Sequence, residues 1–483
     1  MNTPVGPSDL VRQHAGSRPD ALALVDTGVR LTWAELDSQS TRAALALLAA
    51  GAQPGDRVAL SLRTGAQFAI AYLGALRAGL IAVPINPSST EREVEHIVGD
   101  SGARLHLTAD AVAQLAASAP AGEDPHADRT GEATAVLLYT GGTGGQARGA
   151  MLSARALMAN LDQLAAIEPP LLVAGDVLFV PLPLSHVFGL NAGLGMALRV
   201  GATAVLADRF DPAATLATMA AEHVTAVVGV PGQYAAWLSR PDVAESFASV
   251  RFAMSGSATL TRATVDGFRA LGVVLHDGYG LTEAAPVVAV NAIGAARERP
   301  RPGSVGCPIP GVEVQLRDGD GAVDEAGDPG RVFVRGANLF SGYWPLGDDG
   351  PVADGWFGTG DLAVQDADGA LHLVGRSAEL VVVNGFNVYP AEVEAVLAAE
   401  PGVAEVAVVG VPDERAGEAV RAYVVPTAGT VLDPDELLAA ATRSLARFKL
   451  PGTIELVSSL PHTVTGRVMK WALGSEEGER GRD

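Results

Sequence analysis

At 483 residues the chain is too long for one hydrophobic core and implies two or more domains. Its 48% hydrophobic and 18% charged residues are those of a globular protein and exclude a disordered one. A net charge of −21 excludes the basic face that a nucleic-acid partner needs, so an anionic ligand must be held by local loops and dipoles against the overall field.

The single cysteine, Cys307, excludes an internal disulfide and fits a reducing cytoplasm. The first residues carry Pro4 and Pro7 and no basic-then-apolar run, so no signal peptide is expected. From Leu31 to Gly102, apolar helices alternate with short β runs such as Arg57 to Leu60 and Leu80 to Pro84. Ala111 to Glu132, with its Ala, Gly, Pro and Asp, reads as a surface connection. An apolar run, Ala133 to Tyr139, then enters a glycine-rich stretch, and a helix pattern, Ser153 to Ile167, follows it.

Val177 to Leu198 contains no Asp, Glu, Lys or Arg, but Pro181, Pro183, His186 and Asn191 exclude a membrane-spanning helix. It is expected to be a buried strand and loop followed by a core helix. Strand-like runs continue at Ala202 to Leu206, Ala226 to Val230, Arg251 to Met254 and Val273 to Leu275, with helices such as Ala213 to Glu222 between them. That rhythm predicts parallel sheets covered by helices. From about Gly303, β runs follow one another without helices: Val312 to Leu316, Val332 to Arg335, Leu362 to Gln365 and Leu371 to Val374. Asp368-Gly369 forms a hairpin turn between the last two. This predicts a barrel-like subdomain. Beyond Arg376, helices at Ala391 to Ala399 and Asp433 to Ala446 and strands at Val403 to Val409 and Arg421 to Val425 predict a compact α+β unit, and the charged tail from Gly474 reads as disordered. The expected architecture is α/β: a large N-terminal domain, residues 1–376, of helix-covered parallel sheets plus the barrel-like subdomain, and a small mobile C-terminal domain, residues 379–483.

The chain is organised around Thr140 to Met151, where five of the nine residues from Gly141 to Gly149 are glycine. A strand, glycine loop and helix in succession would present bare backbone N–H groups to a phosphate. The stretch lacks the Lys-Ser/Thr pair of a G-x-x-x-x-G-K-S/T loop. Gly142 to Ala147 fits the looser G-x-G-x-x-A dinucleotide pattern, but the acid some twenty residues on, Asp162, falls inside the exit helix. The stretch resembles the Y-T-S-G-T-T-G-x-P-K-G-V phosphate loop of the adenylate-forming superfamily, which holds acyl-CoA synthetases, luciferases and nonribosomal peptide adenylation domains. Tyr139, Thr140, Gly142, Thr143, Gly145 and Gly149 match; Gly141, Gly144, Ala147 and Arg148 do not.

Four further stretches resemble the same superfamily in the right order. Asp277-Gly-Tyr-Gly-Leu-Thr-Glu283 matches Y-G-x-T-E. The resemblance implies that Asp277, Gly278 and Tyr279 lie at the nucleotide, that Thr282 bonds the α-phosphate and that Glu283 helps hold Mg²⁺. Thr359-Gly-Asp361 matches T-G-D, whose Asp takes the ribose hydroxyls. Gly375-Arg376 and the run Gly385 to Glu394 resemble the hinge region. There Arg376 would reach ribose and phosphate, Ala378 takes the hinge position, and Gly385 and Phe386 would line the CoA tunnel. Leu460 to Val468 resembles L-P-K-T-x-x-G-K-I/V, and the family's catalytic lysine is here Arg467. Pro183 to Gly189 resembles P-L-x-H-x-x-G, so His186, Phe188, Ala192 and Ser255 are expected at the acyl pocket. Gly256 and Ser257 are expected beside adenine.

The family reaction has two halves: carboxylate and ATP give acyl-adenylate and pyrophosphate, then the CoA thiol displaces AMP. Gly141 and Gly144 stand where hydroxyls grip the β- and γ-phosphates, and Arg467 replaces an ammonium by a bulkier planar guanidinium. Residues implied to hold the AMP moiety are all kept. The expectation is therefore a soluble, cytoplasmic acid–thiol ligase that makes an acyl-CoA thioester from preformed acyl-adenylate and CoA, supplied by a separate adenylating enzyme. The alternatives are a complete ligase using ATP and Mg²⁺, with Arg467 or nearby Lys470 adenylating, and a non-catalytic AMP-binding relative or one serving a non-CoA acceptor.

Overall fold

The computed structural model describes residues 6–112, 120–127, 130–140, 147–258, 260–294, 300–301, 303–317, 329–376, 379–383, 386–413, 417–463, 466 and 468–473. The chain divides into two compact units, one formed by Met1–Val314 with Val334–Phe357, the other by Gln315–Phe333 with Gly358–Asp483.

In the first unit the uninterrupted apolar runs become strands buried on both faces, as a helix-covered parallel sheet requires. Leu275–Gly280, Phe252–Ser255, Ala226–Gly229, Val177–Val180, Thr203–Leu206 and Leu22–Asp26 lie side by side and parallel in a nine-stranded sheet. Antiparallel strands complete it: Val29–Thr32 at one edge, Val287–Val290 and then Cys307–Pro308 at the other. Tyr234, Trp237, Phe247 and Phe268 pack on one face of this sheet in edge-on and tilted contacts, with ring centroids 4.9–5.7 Å apart. The register aligns Gly229 with Ser255 and Ser255 with Asp277, so two strands end level with Asp277 while the third runs on to Gly280. Ligands of open α/β sheets bind at such carboxyl ends.

A second sheet, in the order Leu105–Leu107, Arg57–Leu60, Ile81–Pro84, Thr134–Thr140, Arg148–Ser153, is parallel except for its last pair. That pair corrects the strand–loop–helix expectation. The residues after the glycine stretch turn back as a strand, Thr140 opposite Arg148 and Val136 opposite Leu152. The helix Ala154–Ala165 starts only at the end of this strand, capped by Ser153, whose Oγ accepts the Ala156 N–H at 3.1 Å. The glycine stretch therefore lies between two paired strands, and a strand separates it from that helix.

Val177 to Leu198 comprises the expected strand followed by a π-helical segment, Phe188–Gly195, and a short α-helix, Met196–Val200. Among the described residues no helix is long and apolar enough to cross a membrane. The described part of the expected surface connection is tied down. Asp124 accepts hydrogen bonds from Arg12 Nε at 2.7 Å and Arg77 Nη1 at 3.1 Å, and Arg77 is fully buried.

The second unit carries the antiparallel hairpin of Phe357–Gln365 and Leu371–Arg376. It belongs to a four-stranded sheet whose first strands, Val312–Arg317 and Gly330–Gly336, run across the unit boundary. The hairpin turns where expected: the Gly369 N–H donates to Asp366 O at 2.9 Å. Beyond it, Val381–Val383, Phe386–Val388, Val403–Asp413, Gly417–Pro426 and Thr453–Leu456 form a five-stranded sheet. The helices Pro390–Ala398 and Pro434–Ala441 contribute Val393, Leu397, Leu437 and Ala441 to a core shared with Val408 and Val424.

Arg77 also donates to Asp37 Oδ1 at 2.5 Å and Thr41 Oγ1 at 2.6 Å. Removing a buried cation strands its carboxylates, so Arg77→Ala should lose about 3–5 kcal/mol of stability, read as a lower urea midpoint.

Candidate active site

The glycine stretch itself, Gly141, Gly142, Thr143, Gly144 and Gly145, lies outside the described residues, but both of its flanks are described. On the entering side, Tyr139 Oη donates to Asp100 Oδ2 at 2.6 Å; burial, then the adjacent carboxylate, holds its phenol well above the usual range. Thr140 pairs with Arg148 across the hairpin. On the leaving side, the strand Arg148–Ser153 is joined on its other edge by residues 341–344. Met151 N–H donates to Gly342 O, Ser341 N–H to Met151 O and Trp344 N–H to Gly149 O, at 3.0, 2.9 and 2.8 Å. Arg148, where the family has lysine, stacks 4.0 Å above the centroid of the Tyr343 ring and pairs with Asp349 at 2.8 Å.

Tyr279 is buried on the strand Leu275–Gly280, which ends in the short turn Thr282–Ala284 carrying Glu283. Three buried asparagines fix the chain just after Glu283. Asn338 Nδ2 donates to Ala284 O at 2.8 Å, Asn191 Nδ2 to Ala285 O at 2.7 Å and Asn160 Nδ2 to Val287 O at 2.8 Å. The Phe340 N–H donates to the Glu283 carbonyl at 2.9 Å. The Glu283 carboxylate accepts the Tyr343 hydroxyl through Oε1 at 2.5 Å. Tyr343 went unnoticed in the sequence, where Gly342-Tyr-Trp344 is only a glycine–aromatic run inside a turn.

Asp277 is buried beside Ser255, and Gly278 follows it. Burial pushes the Asp277 carboxyl up to about 7, although the backbone N–H groups of Gly278 and Leu260 bond to it. Ser257 is exposed and held at φ +71°, a conformation that costs a residue with a side chain about 1 kcal/mol or more.

At the expected acyl pocket, the ring of Phe188 lies against Gly256 so closely that a Cβ there would sit 3.1 Å from the ring. A side chain at Gly256 would make the Phe188 ring give way by a few tenths of an ångström. His186 accepts the Phe188 N–H through Nδ1 at 3.2 Å, and desolvation lowers its pKa to about 4, so its ring is neutral at physiological pH. Ala192 is buried in the π-helical segment, and Ser255 Oγ is buried without a hydrogen-bond partner among the described residues.

In the second unit Asp361 is buried, and the strand register pairs its backbone position with that of Arg376 across the hairpin. Gly360 precedes it at φ +78°, which a larger residue would resist. Phe386 begins a strand, while Gly385, Ala378 and Arg467 lie outside the described residues. Lys470, the nearest alternative cation to Arg467 in sequence, is held between Glu394 at 2.8 Å and Glu379 at 3.3 Å.

Residues 11–344 match the model of the AMP-binding enzyme family, and residues 392–467 match the AMP-binding enzyme C-terminal domain. The chain belongs to this family. It is 34% identical over 521 residues to a long-chain-fatty-acid–CoA ligase of Yersinia pestis, covering 95% of this chain and 92% of that one. It is 36% identical over 476 residues to a feruloyl-CoA synthase of an Amycolatopsis species, covering 95% and 96%. Its fold superposes on ATP-bound MatB from Rhodopseudomonas palustris with a TM-score of 0.89, at 32% identity and 96% and 98% coverage. The AMP-binding enzyme thus falls in the acyl-CoA ligase branch of the adenylate-forming superfamily, with that superfamily's mixed α/β fold.

Among the described residues there is no cluster of three or more carboxylates, histidines or cysteines able to cage a metal. The single carboxylate of Glu283 still suits Mg²⁺, which commonly uses one or two carboxylates together with substrate phosphates. When bound, the ion would screen phosphate charge.

Asp277 provides a pH test of the strand-end geometry. Its carboxyl titrates near 7 when folded and near 3.8 when unfolded, so its stabilising contribution is complete below pH 3.8 and is lost as pH rises through about 7. Between pH 5 and pH 8 the wild type should lose about 2–3 kcal/mol that Asp277→Asn retains, measured by urea unfolding at each pH.

Proposed function

We propose that this AMP-binding enzyme completes only the second half of the acid–CoA ligase reaction, making an acyl-CoA thioester from preformed acyl-adenylate and CoA. The CoA sulfur attacks the acyl carbon, the bond from that carbon to the phosphate oxygen breaks, AMP leaves, and the thiol proton passes to solvent. Acid–CoA ligase chemistry is supported by the named relatives, and the restriction to one half-reaction is supported by where the chain commits its cations.

The observation carrying this reading is Lys470. Arg467 occupies the position of the adenylating lysine, and the lysine three residues on is engaged by two carboxylates, Glu379 and Glu394. An ammonium held that way is a poor substitute bridge between an attacking carboxylate and the α-phosphate. Arg148 is similarly engaged, by Asp349 and the Tyr343 ring. An acyl-adenylate carries one phosphate charge and asks far less of a chain of net charge −21 than ATP does. Its source would be a separate adenylating enzyme, and Tyr279, Thr282, Asp361 and Arg376 would grip its AMP moiety.

Retention of Glu283 favours a second reading, the complete ligase using Mg·ATP. Acid-dependent ATP–pyrophosphate exchange decides between them. The wild type should fall roughly 10²- to 10³-fold below a lysine-bearing relative, the usual cost of one preorganised charge, while converting synthetic acyl-adenylate and CoA to thioester. Robust exchange by the wild type would establish the complete ligase instead. Tight AMP binding with neither activity would make the chain a binding module. Arg467→Lys combined with Gly141→Ser and Gly144→Thr should restore measurable exchange.

A further inference from the structure

The carboxylate that would meet the nucleotide's phosphate end is not free to turn. Tyr343 Oη takes Glu283 Oε1 at 2.5 Å, while Oε2 makes no hydrogen bond among the described residues. A carboxylate on a two-carbon stem ordinarily samples several rotamers, and one charged hydrogen bond from a half-buried phenol selects among them. The phenol is itself held at both ends. Its backbone bridges Ala150 on the strand leaving the glycine stretch and Asp348 across its own turn. Its ring carries the Arg148 guanidinium on one face, 4.0 Å from the centroid. A cation over the ring draws electron density from the oxygen and strengthens the O–H as a donor.

We infer that Tyr343 is a positioning residue for Glu283: it occupies one carboxylate oxygen and presents the other to a phosphate-bound divalent cation. It acts through Glu283 and touches no reacting atom. The inference rests on reading this unit as a nucleotide site whose phosphates carry the cation. It also links two neighbouring stretches, because the strand that leaves the glycine stretch and the carboxylate at the end of the Leu275–Gly280 strand then share one side chain.

The test is a metal-dependent binding cycle on the full chain. ATP affinity is measured by calorimetry with Mn²⁺ and with chelator, for the wild type, Tyr343→Phe, Glu283→Gln and the double variant, and AMP affinity is measured with chelator. Phenylalanine keeps the ring under Arg148 and removes only the donor. The wild type should bind ATP more tightly with Mn²⁺. Tyr343→Phe should reduce that gain roughly three- to tenfold, the worth of one charged hydrogen bond, while changing metal-free AMP affinity less than about twofold. The double variant should bind no more weakly than Glu283→Gln alone, since the phenol works only through that carboxylate. An undiminished gain in Tyr343→Phe, additive losses in the double variant, or no metal-dependent gain in the wild type would each overturn the inference. A parallel loss of metal-free AMP affinity would overturn it too, by making the role purely structural. Absence of metal-free AMP binding by the wild type would instead refute the nucleotide-site reading on which the inference depends.

Discussion

Like charges brought together in a partly dry site must be fixed in place, or they move apart. In this AMP-binding enzyme the constraint falls on Glu283, a carboxylate at the end of a central strand where the resemblance expects phosphate. The fold answers it from two sides. Three buried asparagine side chains hold the backbone after it through the carbonyls of Ala284, Ala285 and Val287, and Tyr343 holds the carboxylate itself. Buried amides satisfied in this way are stiff, because each alternative arrangement leaves an unpaired polar group behind.

The same logic governs the cations. A chain with 34 basic and 55 acidic residues has few positive charges to spare, and several of the described cations have acidic partners. Arg148 meets Asp349, Lys470 meets Glu379 and Glu394, and Lys449 is taken by both oxygens of Glu392 at 2.7 Å. For the exposed Arg148 pair the energy involved is small. For Lys470 and Lys449, whose side chains are largely covered, the geometry is more binding. This distribution accords with the proposed handling of a singly charged acyl-adenylate.

Some of the candidate site was legible in the chain because its chemistry is local. Asp277-Gly-Tyr-Gly-Leu-Thr-Glu283 is one continuous run, and its strand and turn are built from neighbours in sequence. The hairpin at Asp368-Gly369 was legible for the same reason: a two-residue signal suffices when the partner strands adjoin. The glycine stretch misled. Its composition suggests a loop feeding a helix; the helix does begin at Ala154 as its pattern predicts, but Gly149 to Leu152, with small and apolar side chains that a second sheet can bury, first pair with Thr134–Thr140 as a strand. Periodicity over so few residues does not separate a buried strand from the start of a buried helix.

By itself the sequence determined the α/β class, the order of the motifs and the two departures, Arg467 and the unmatched glycines, because each depends on residue type at a position along the chain. It also exposed the charge imbalance, since that is a sum. Only the tertiary structure decided which charges are engaged: Tyr343 lies 60 residues from Glu283, Lys470 lies 76 from Glu394, and nothing in either local stretch names its partner. Pairing across such distances is set by how strands are ordered and aligned in sheets, which residue type does not encode one position at a time.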